Sequence, residues 1–487
     1  MLKLKKGVLA AAVLAMLVGS GCKKQLDINT DPNNPPVEQG TPRLVFPAAV
    51  LSTTGRVGGD MAILGGLWSQ YWTQSATANQ YKNIDMYNLK SADFNGAYTE
   101  LFSGALNDYQ FVINKSKEQS DWKYLLMATV MKAYTYQILV DLYDQVPYTE
   151  AFQGNANLQP KFDDGYSIYK GLLAEIDEAL GKDFTSGTVD SKDKAADLVF
   201  KGDMEKWEQF ANTQKLKMFL RMVNVKPAEA EAGIKALYAS GATFLSTDAA
   251  IKSFQDAPDN SNPMYEYNVR KLNVGTNLRA SRTMLTYLQA NGDPRVSAFY
   301  TNTTGINQGD FASTDATYQG AGVVKQSPTD PVYFISEAES YFMQAEARER
   351  YFGGADAQAL YNQGVLKAFA QVGQSGASFI APGGKYAYPV AGSLEDKIKA
   401  ISTQKWISFF GSHALEGFFE KNRTGYPKTS AVYSDEAAYV PGEFVISRNA
   451  VTNGQLPKRL VFPNVERQRN NNTPAEVPIT TPVWWAK

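Results

Sequence analysis

Apolar residues recur along this chain with the period of a helix in several long blocks. Between Trp122 and Leu142 the positions Trp122, Leu125, Leu126, Thr129, Val130, Ala133, Tyr136, Gln137 and Val140 share one face, at the roughly 3.6-residue spacing of an amphipathic helix. Pro147 and the polar residues after it stop the run. A second helix is predicted over Tyr166–Leu180, with Ile168, Leu172, Leu173, Ile176 and Ala179 inward. A third starts at Asp203, whose short carboxylate suits an N-cap, and ends before Pro227. Trp207, Phe210, Ala211 and Met218 make one stripe on it, and Leu216, Phe219, Leu220 and Val223 another. Two stripes call for neighbours on both sides.

Further along, Ser336 and Glu339 have the spacing of a capping box, in which each side chain satisfies a free backbone N–H. The helix they open runs to Phe352 and ends at Gly353 and Gly354, since Gly adopts the left-handed conformation without strain. A partner helix capped by Asp356 sets Leu360, Gly364, Val365 and Ala368 on one face, with Gly364 and Ala368 permitting close approach. This αα-hairpin has about the size of a 34-residue tetratricopeptide unit, without that repeat's consensus. Another helix, Leu394–Phe410, carries Ile398, Ile401, Trp406, Phe409 and Phe410. Between these blocks Ser75–Asn95, Asn260–Arg279, Tyr300–Asp330 and Ala431–Pro457 show no period and are rich in Gly, Asn, Ser, Thr and Tyr. Loops longer than about 12–15 residues in a compact domain are usually functional or disordered. The expected fold class is mainly α, with helices supplying shape and long loops supplying recognition.

The first residues follow a different logic. Lys3, Lys5 and Lys6 precede the uncharged run Gly7–Val18, which is shorter than the roughly 20 residues a spanning helix needs. A basic start, a short apolar middle and small residues make the pattern of a secretory signal peptide. Gly19, Ser20 and Gly21 lead to Cys22, the one cysteine among 487 residues. A cysteine there looks like the acceptor of a bacterial lipoprotein signal, and two or more acyl chains hold a protein stably at a membrane. Gly19 stands where many such signals carry Leu. The expected organisation is a leader over residues 1–21, a Pro- and Asn-rich flexible tether over 22–42, and one helical domain over 43–487. Within the tether Asp27, Asn29, Asp31 and Glu38 mimic the ligand spacing of a calcium-binding EF-hand loop, but Pro32 sits where that loop needs Gly. Loss of the three leader lysines takes the net charge from −1 to −4, which leaves no basic excess to attract nucleic acid.

Composition narrows the chemistry. His413 is the only histidine, so no His/Cys zinc cluster, H-E-x-x-H motif or Cys–His dyad is available, and neighbouring Ser412 does not make a triad with it. His413 reads as a loop residue following the Phe410 helix. No phosphate-cradling glycine loop occurs. No cofactor is expected. Glycoside hydrolysis needs only two carboxylates at the right separation, and no pair stands out. Aromatic residues are plentiful, with 27 Tyr, 25 Phe and 7 Trp. Trp68, Trp72, Trp122, Trp207 and Trp406 fall at helical spacing and are expected in the core. Tyr81, Tyr87, Tyr265, Tyr267, Tyr300, Phe311 and Tyr318 sit in the polar loops and are the candidate ligand-binding residues. A flat ring there can carry the C–H face of a sugar or a peptide side chain; the alternative is that each ring packs down and ties its own loop to the body.

Several segments carry a resemblance: LDINTDPNNPP after Cys22, GDMEKWEQFANTQKLKMFLRM, DPRVSAFY, EAESYFMQAEA before Gly353, QKWISFFGSHALEGFFEKNRTGYP, and LPKRLVFPNVERQRN with VWW near the end. In this order the sequence resembles the SusD-like (SusD/RagB) outer-membrane lipoproteins, in the branch grouped with starch-binding proteins. The family's EAW and RRTGYP stretches stand here as LEGFF and NRTGYP. The resemblance implies tetratricopeptide-like helix pairs in a superhelical body. It implies a lipid-anchored, outward-facing position on the outer membrane. The partner would be a SusC-like TonB-dependent transporter, loaded with oligosaccharides or peptides that are bound and not cleaved. A surface lipoprotein glycoside hydrolase and a helical scaffold for protein contacts are the other readings.

Overall fold

The computed structural model describes residues 40–487, so the leader, Cys22 and the tether up to residue 39 lie outside the described residues. The apolar stripes become helices that pack in pairs: α1 (Pro42–Val57), α2 (Asp60–Trp68), α3 (Asn107–Gln119), α4 (Trp122–Tyr143), α5 (Gly165–Leu180), α6 (Met204–Met222), α7 (Pro227–Ala239), α8 (Arg282–Asn291), α9 (Glu337–Tyr351), α10 (Ala357–Ala370), α11 (Leu394–Ser408) and α12 (Ala414–Thr424). Helix α3 lies on α4, α6 on α7, α9 on α10 and α11 on α12, while α6 also touches α4 and α9. The fold is mainly α and tetratricopeptide-like, as the sequence predicts. Helix α12 packs against α2, and Gly65 permits it, because a Cβ there would overlap the Leu415 backbone.

Helix α4 differs from its prediction in one respect. Every residue from Tyr124 to Tyr143 is buried, not one face only, while Trp122, expected in the core, is half-buried. The helix runs through the centre and carries Lys132 and Asp141 with it. The predicted inward set of α5 is buried, and Asp203 caps α6 by accepting from the Lys206 N–H at 3.3 Å. The box at α9 is half made. Ser336 accepts from the Glu339 N–H at 3.1 Å, but the Glu339 carboxylate turns inward to Lys217 (3.1 Å) and His413 (3.2 Å). Asp356 makes no side-chain cap and takes the left-handed conformation at φ +63°. Gly364 does permit close packing, since a Cβ would lie 2.7 Å from the Phe342 ring.

A buried ionic network joins these helices. Arg221 meets Asp141, Glu416 and Glu420; Lys217 meets Glu339 and Glu416; Lys405 meets Glu420; Arg423 meets Glu346 and Glu420. Buried charges persist only when paired, and here α4, α6, α9, α11 and α12 each supply partners. His413 sits, as predicted, in the turn after α11, but that turn is buried: its side chain is 3% exposed and lies against Phe409. Short strands β1 (Trp72–Gln74), β2 (Gln145–Pro147), β3 (Phe162–Asp164), β4 (Ala249–Ile251), β5 (Leu278–Ala280) and β6 (Val332–Ile335) form two-stranded antiparallel ladders β1–β5, β2–β3 and β4–β6. Among the described residues no helix is long and apolar enough to cross a membrane.

Candidate functional site

The β1–β5 ladder sets the site. Thr73 lies opposite Arg279, which brings the start of the Ser75–Asn95 loop beside the end of the Asn260–Arg279 loop. Asp85 locks the first loop in place. Its buried carboxylate accepts from the Thr73 hydroxyl (2.6 Å), the Gln74 N–H (2.8 Å) and Gln308 Nε2 (2.5 Å), so it also holds the Tyr300–Asp330 loop. Burial raises its pKa to about 6 against these hydrogen bonds. Gln74, also buried, accepts from the Tyr81 N–H at 2.6 Å. On the second loop Asn262 caps the turn at the N–H groups of Met264 and Tyr265 and donates to the Asp330 carbonyl at 2.9 Å.

Between these loops and the first two helices lies a cleft of two lobes. The larger, about 460 Å³, is lined by Ser52 and Arg56 of α1, by Glu100, and by Asp259, Ser261 and Glu266. The smaller, about 390 Å³, is lined by Asp60 and Ile63 of α2 and by Gln80, Tyr81, Asn83, Asp93 and Phe94. Tyr267 and Lys271 border both. Two π-helical turns wall it, Glu100–Leu106 and Glu266–Lys271; such turns are rare and frequent at functional sites. The wall between the lobes is polar: Arg56 Nη1 donates to the Tyr267 hydroxyl at 2.7 Å and lies 3.6 Å from Asp60. Burial pushes Asp60 up to about 6, with Arg56 pulling the other way. Burial likewise raises Tyr81 and Tyr267. Rings beside amides and carboxylates can stack on a sugar and bond its hydroxyls. Among the described residues no cluster of metal-ligating side chains occurs.

Of the seven loop aromatics named from the sequence, Tyr81 and Tyr267 meet here. Tyr265 sits on the same turn, its ring 5.4 Å from the Arg270 guanidinium. Tyr87 is buried at φ +62°. Tyr300 lies in the core and donates its hydroxyl to the Tyr71 carbonyl at 2.6 Å. Phe311 is covered by Lys82, with the ammonium 5.1 Å from the ring centre. The Tyr318 hydroxyl accepts from Asn307 (2.9 Å) and donates to Asp310 (3.0 Å), and burial pushes it up to about 12. Sequence reasoning missed Arg56, Asp60, Asp85 and Glu100. The π turns have no periodic signature, and a buried acid is visible only once its donors are placed.

The pattern that defines the SusD-like family, described as starch-binding and associating with the outer membrane, matches residues 43–463. No curated protein matches the chain. Among solved structures, a SusD homologue from Bacteroides uniformis superposes with a TM-score of 0.74 at 22% identity, over 91% of this chain and 99% of that one. A chitin-binding SusD homologue from Flavobacterium johnsoniae gives 0.74 at 23%, over 91% and 98%. A SusD/RagB family protein from Bacteroides thetaiotaomicron gives 0.71 at 19%, over 92% and 99%.

Proposed function

This chain belongs to the SusD-like family of starch-binding proteins that associate with the outer membrane, and we propose that it captures oligosaccharides in the two-lobed cleft and passes them to a SusC-like TonB-dependent transporter. The observation that carries this reading is the meeting of Tyr81 and Tyr267 with Asn83, Gln80 and Asp60 in one cleft between two π-helical turns. The half-buried Tyr267 ring offers an apolar face, and the Tyr81 hydroxyl and the polar groups offer directional hydrogen bonds, which is how a sugar is held in water. The chitin-binding relative supports a glycan over a peptide. The protein binds its ligand without cleaving it. Acylation of Cys22 would anchor the body to the outer face of the outer membrane, with residues 22–42 as tether.

Affinity electrophoresis through gels containing starch, soluble chitin derivatives or other glycans tests the binding. Wild-type protein is retarded by at least one glycan and releases no new reducing ends from it. Tyr81→Ala and Tyr267→Ala each weaken retention. Unchanged retention in both variants refutes the cleft as the site, and new reducing ends favour the hydrolase. Mass spectrometry of the mature N-terminus tests the anchor, and co-purification with a TonB-dependent receptor tests the partner.

A further inference from the structure

We propose that the cleft selects oligosaccharides carrying free amino groups, with the ammonium groups of a hexosamine chain seated on Asp93 and Glu100. This rests on the glycan-binding reading above and adds the ligand's charge to it. Every cation of the walls is already committed. Arg56 serves Asp60 (3.6 Å) and Tyr267 (2.7 Å); Lys271 serves Asp259 (3.4 Å); adjoining Arg270 serves Asp256 (2.6 Å) and Glu266 (3.1 Å). Two lining carboxylates have no ion pair among the described residues. Asp93, in the smaller lobe, accepts only from the Lys90 N–H at 2.7 Å. Glu100, in the larger, accepts from the Ser52 hydroxyl at 2.8 Å. Asp108 adds to the negative field beside Glu100, its own pKa raised by burial and by that neighbour. Among the described residues an acidic sugar entering the cleft finds no lining cation without a carboxylate beside it. An ammonium finds two open carboxylates in a concave wall that concentrates their field.

A separate observation points to a ligand in the same place. Tyr81 is 7% exposed and lines the smaller lobe, yet its hydroxyl has no hydrogen-bond partner among the described residues. The hydroxyl is not among the buried unsatisfied atoms and so opens to the lobe, where a sugar hydroxyl can pair with it.

Isothermal titration of the full chain with glucosamine, N-acetylglucosamine and galacturonate oligomers of equal length, and with a starch oligomer, tests this. The glucosamine oligomer binds at least tenfold tighter than its acetylated counterpart, the galacturonate oligomer binds weakest, and added salt narrows the gap. Asp93→Asn combined with Glu100→Gln removes the preference; Glu100→Gln alone, which keeps a Ser52 contact, reduces it and serves where the pair fails to fold. Equal affinity for the first two, a galacturonate preference, or a preference that survives in folded variants overturns the inference and leaves glycan binding standing. Binding of none of the oligomers overturns both. Tighter binding of trilysine than of the glucosamine oligomer assigns the cleft to cationic peptides and overturns the sugar.

Discussion

Removing the cation at the centre of the buried network tests how the helix pairs are held together. Arg221 is 1% exposed and touches Asp141 through Nε (3.1 Å), Glu416 through Nη2 (2.9 Å) and Glu420 through Nη1 (3.0 Å). Arg221→Met keeps the stem and deletes the charge. Glu416 retains Lys217 at 2.6 Å, and Glu420 retains Lys405 at 3.1 Å and Arg423 at 2.6 Å. Asp141 is left with neutral donors only, the Tyr169 hydroxyl at 2.5 Å and Trp485 Nε1 at 2.7 Å. The loss therefore falls mainly on one carboxylate, at the low end of the range for breaking a buried pair, about 3 kcal/mol. A body spanning Pro42–Lys487 has an unfolding entropy of roughly 0.9 kcal/mol per kelvin, so the melting temperature drops by about 3 °C.

The pH dependence gives that prediction its sign. Burial holds the Asp141 pKa at about 6, above the ordinary 3.8, even with Arg221 beside it. A carboxyl raised in the folded state contributes stability below its unfolded pKa and loses it as pH rises through the folded one. Without Arg221 the folded value climbs further. At pH 5 Asp141 is then protonated and the variant lies close to wild type; at pH 8 the full deficit appears, and adding Asp141→Asn recovers much of it. Scanning calorimetry at the two pH values reads this. A deficit equal at both, or larger at pH 5, would refute the pairing as described.

Four further outcomes are expected. Tyr267→Ala weakens glycan binding by about 1–3 kcal/mol, the magnitude of a ring stacked on a base, since its half-buried ring borders both lobes; titration calorimetry reads it. Tyr300→Ala costs about 3–5 kcal/mol of stability as a buried aromatic deletion, while binding per folded molecule stays at the wild-type value; denaturant unfolding and titration separate the two. Gly65→Ala destabilises by about 1–3 kcal/mol because the added methyl meets the Leu415 backbone, read as a lower melting temperature. Cys22→Ser moves the protein from the membrane to the soluble fraction on cell fractionation.

A polar side made a helix most readily legible, although α4, buried all round, is still predicted from one of its faces. Helix α5 shows its stripe openly because its outer face is solvated, and its predicted inward set is buried as a group. Helix α2 is buried from Met61 to Trp68 with no polar side to create a period, and α1 carries Pro47 inside it. The two apolar stripes predicted for α6 are buried except for half-buried Phe219, and Val223 lies just past the helix end. The strip between them holds Lys217 and Arg221, and a helix enclosed on both sides must bury whatever lies there. Charges at i and i+4 in such a helix require partners, and that was the available sign of the network.

The loops were placed by their lack of period, but which rings face a ligand was not readable. Each tyrosine brings the same apolar face and the same hydroxyl, and its fate depends on what the hydroxyl finds. For Tyr300 it is the Tyr71 carbonyl and for Tyr318 it is Asp310, both contacts between segments the chain brings together only on folding. Tyr267 finds Arg56 from the first helix, which holds its ring at the wall between the lobes. Tyr81 is fixed through its backbone by Gln74 and so keeps its hydroxyl free. The β1–β5 ladder and Asp85 decide these pairings, and neither leaves more than three residues of pattern in the sequence. The recognition surface is therefore set by a few buried hydrogen bonds behind the rings, and changing Asp85 would disturb the cleft without touching any residue that lines it.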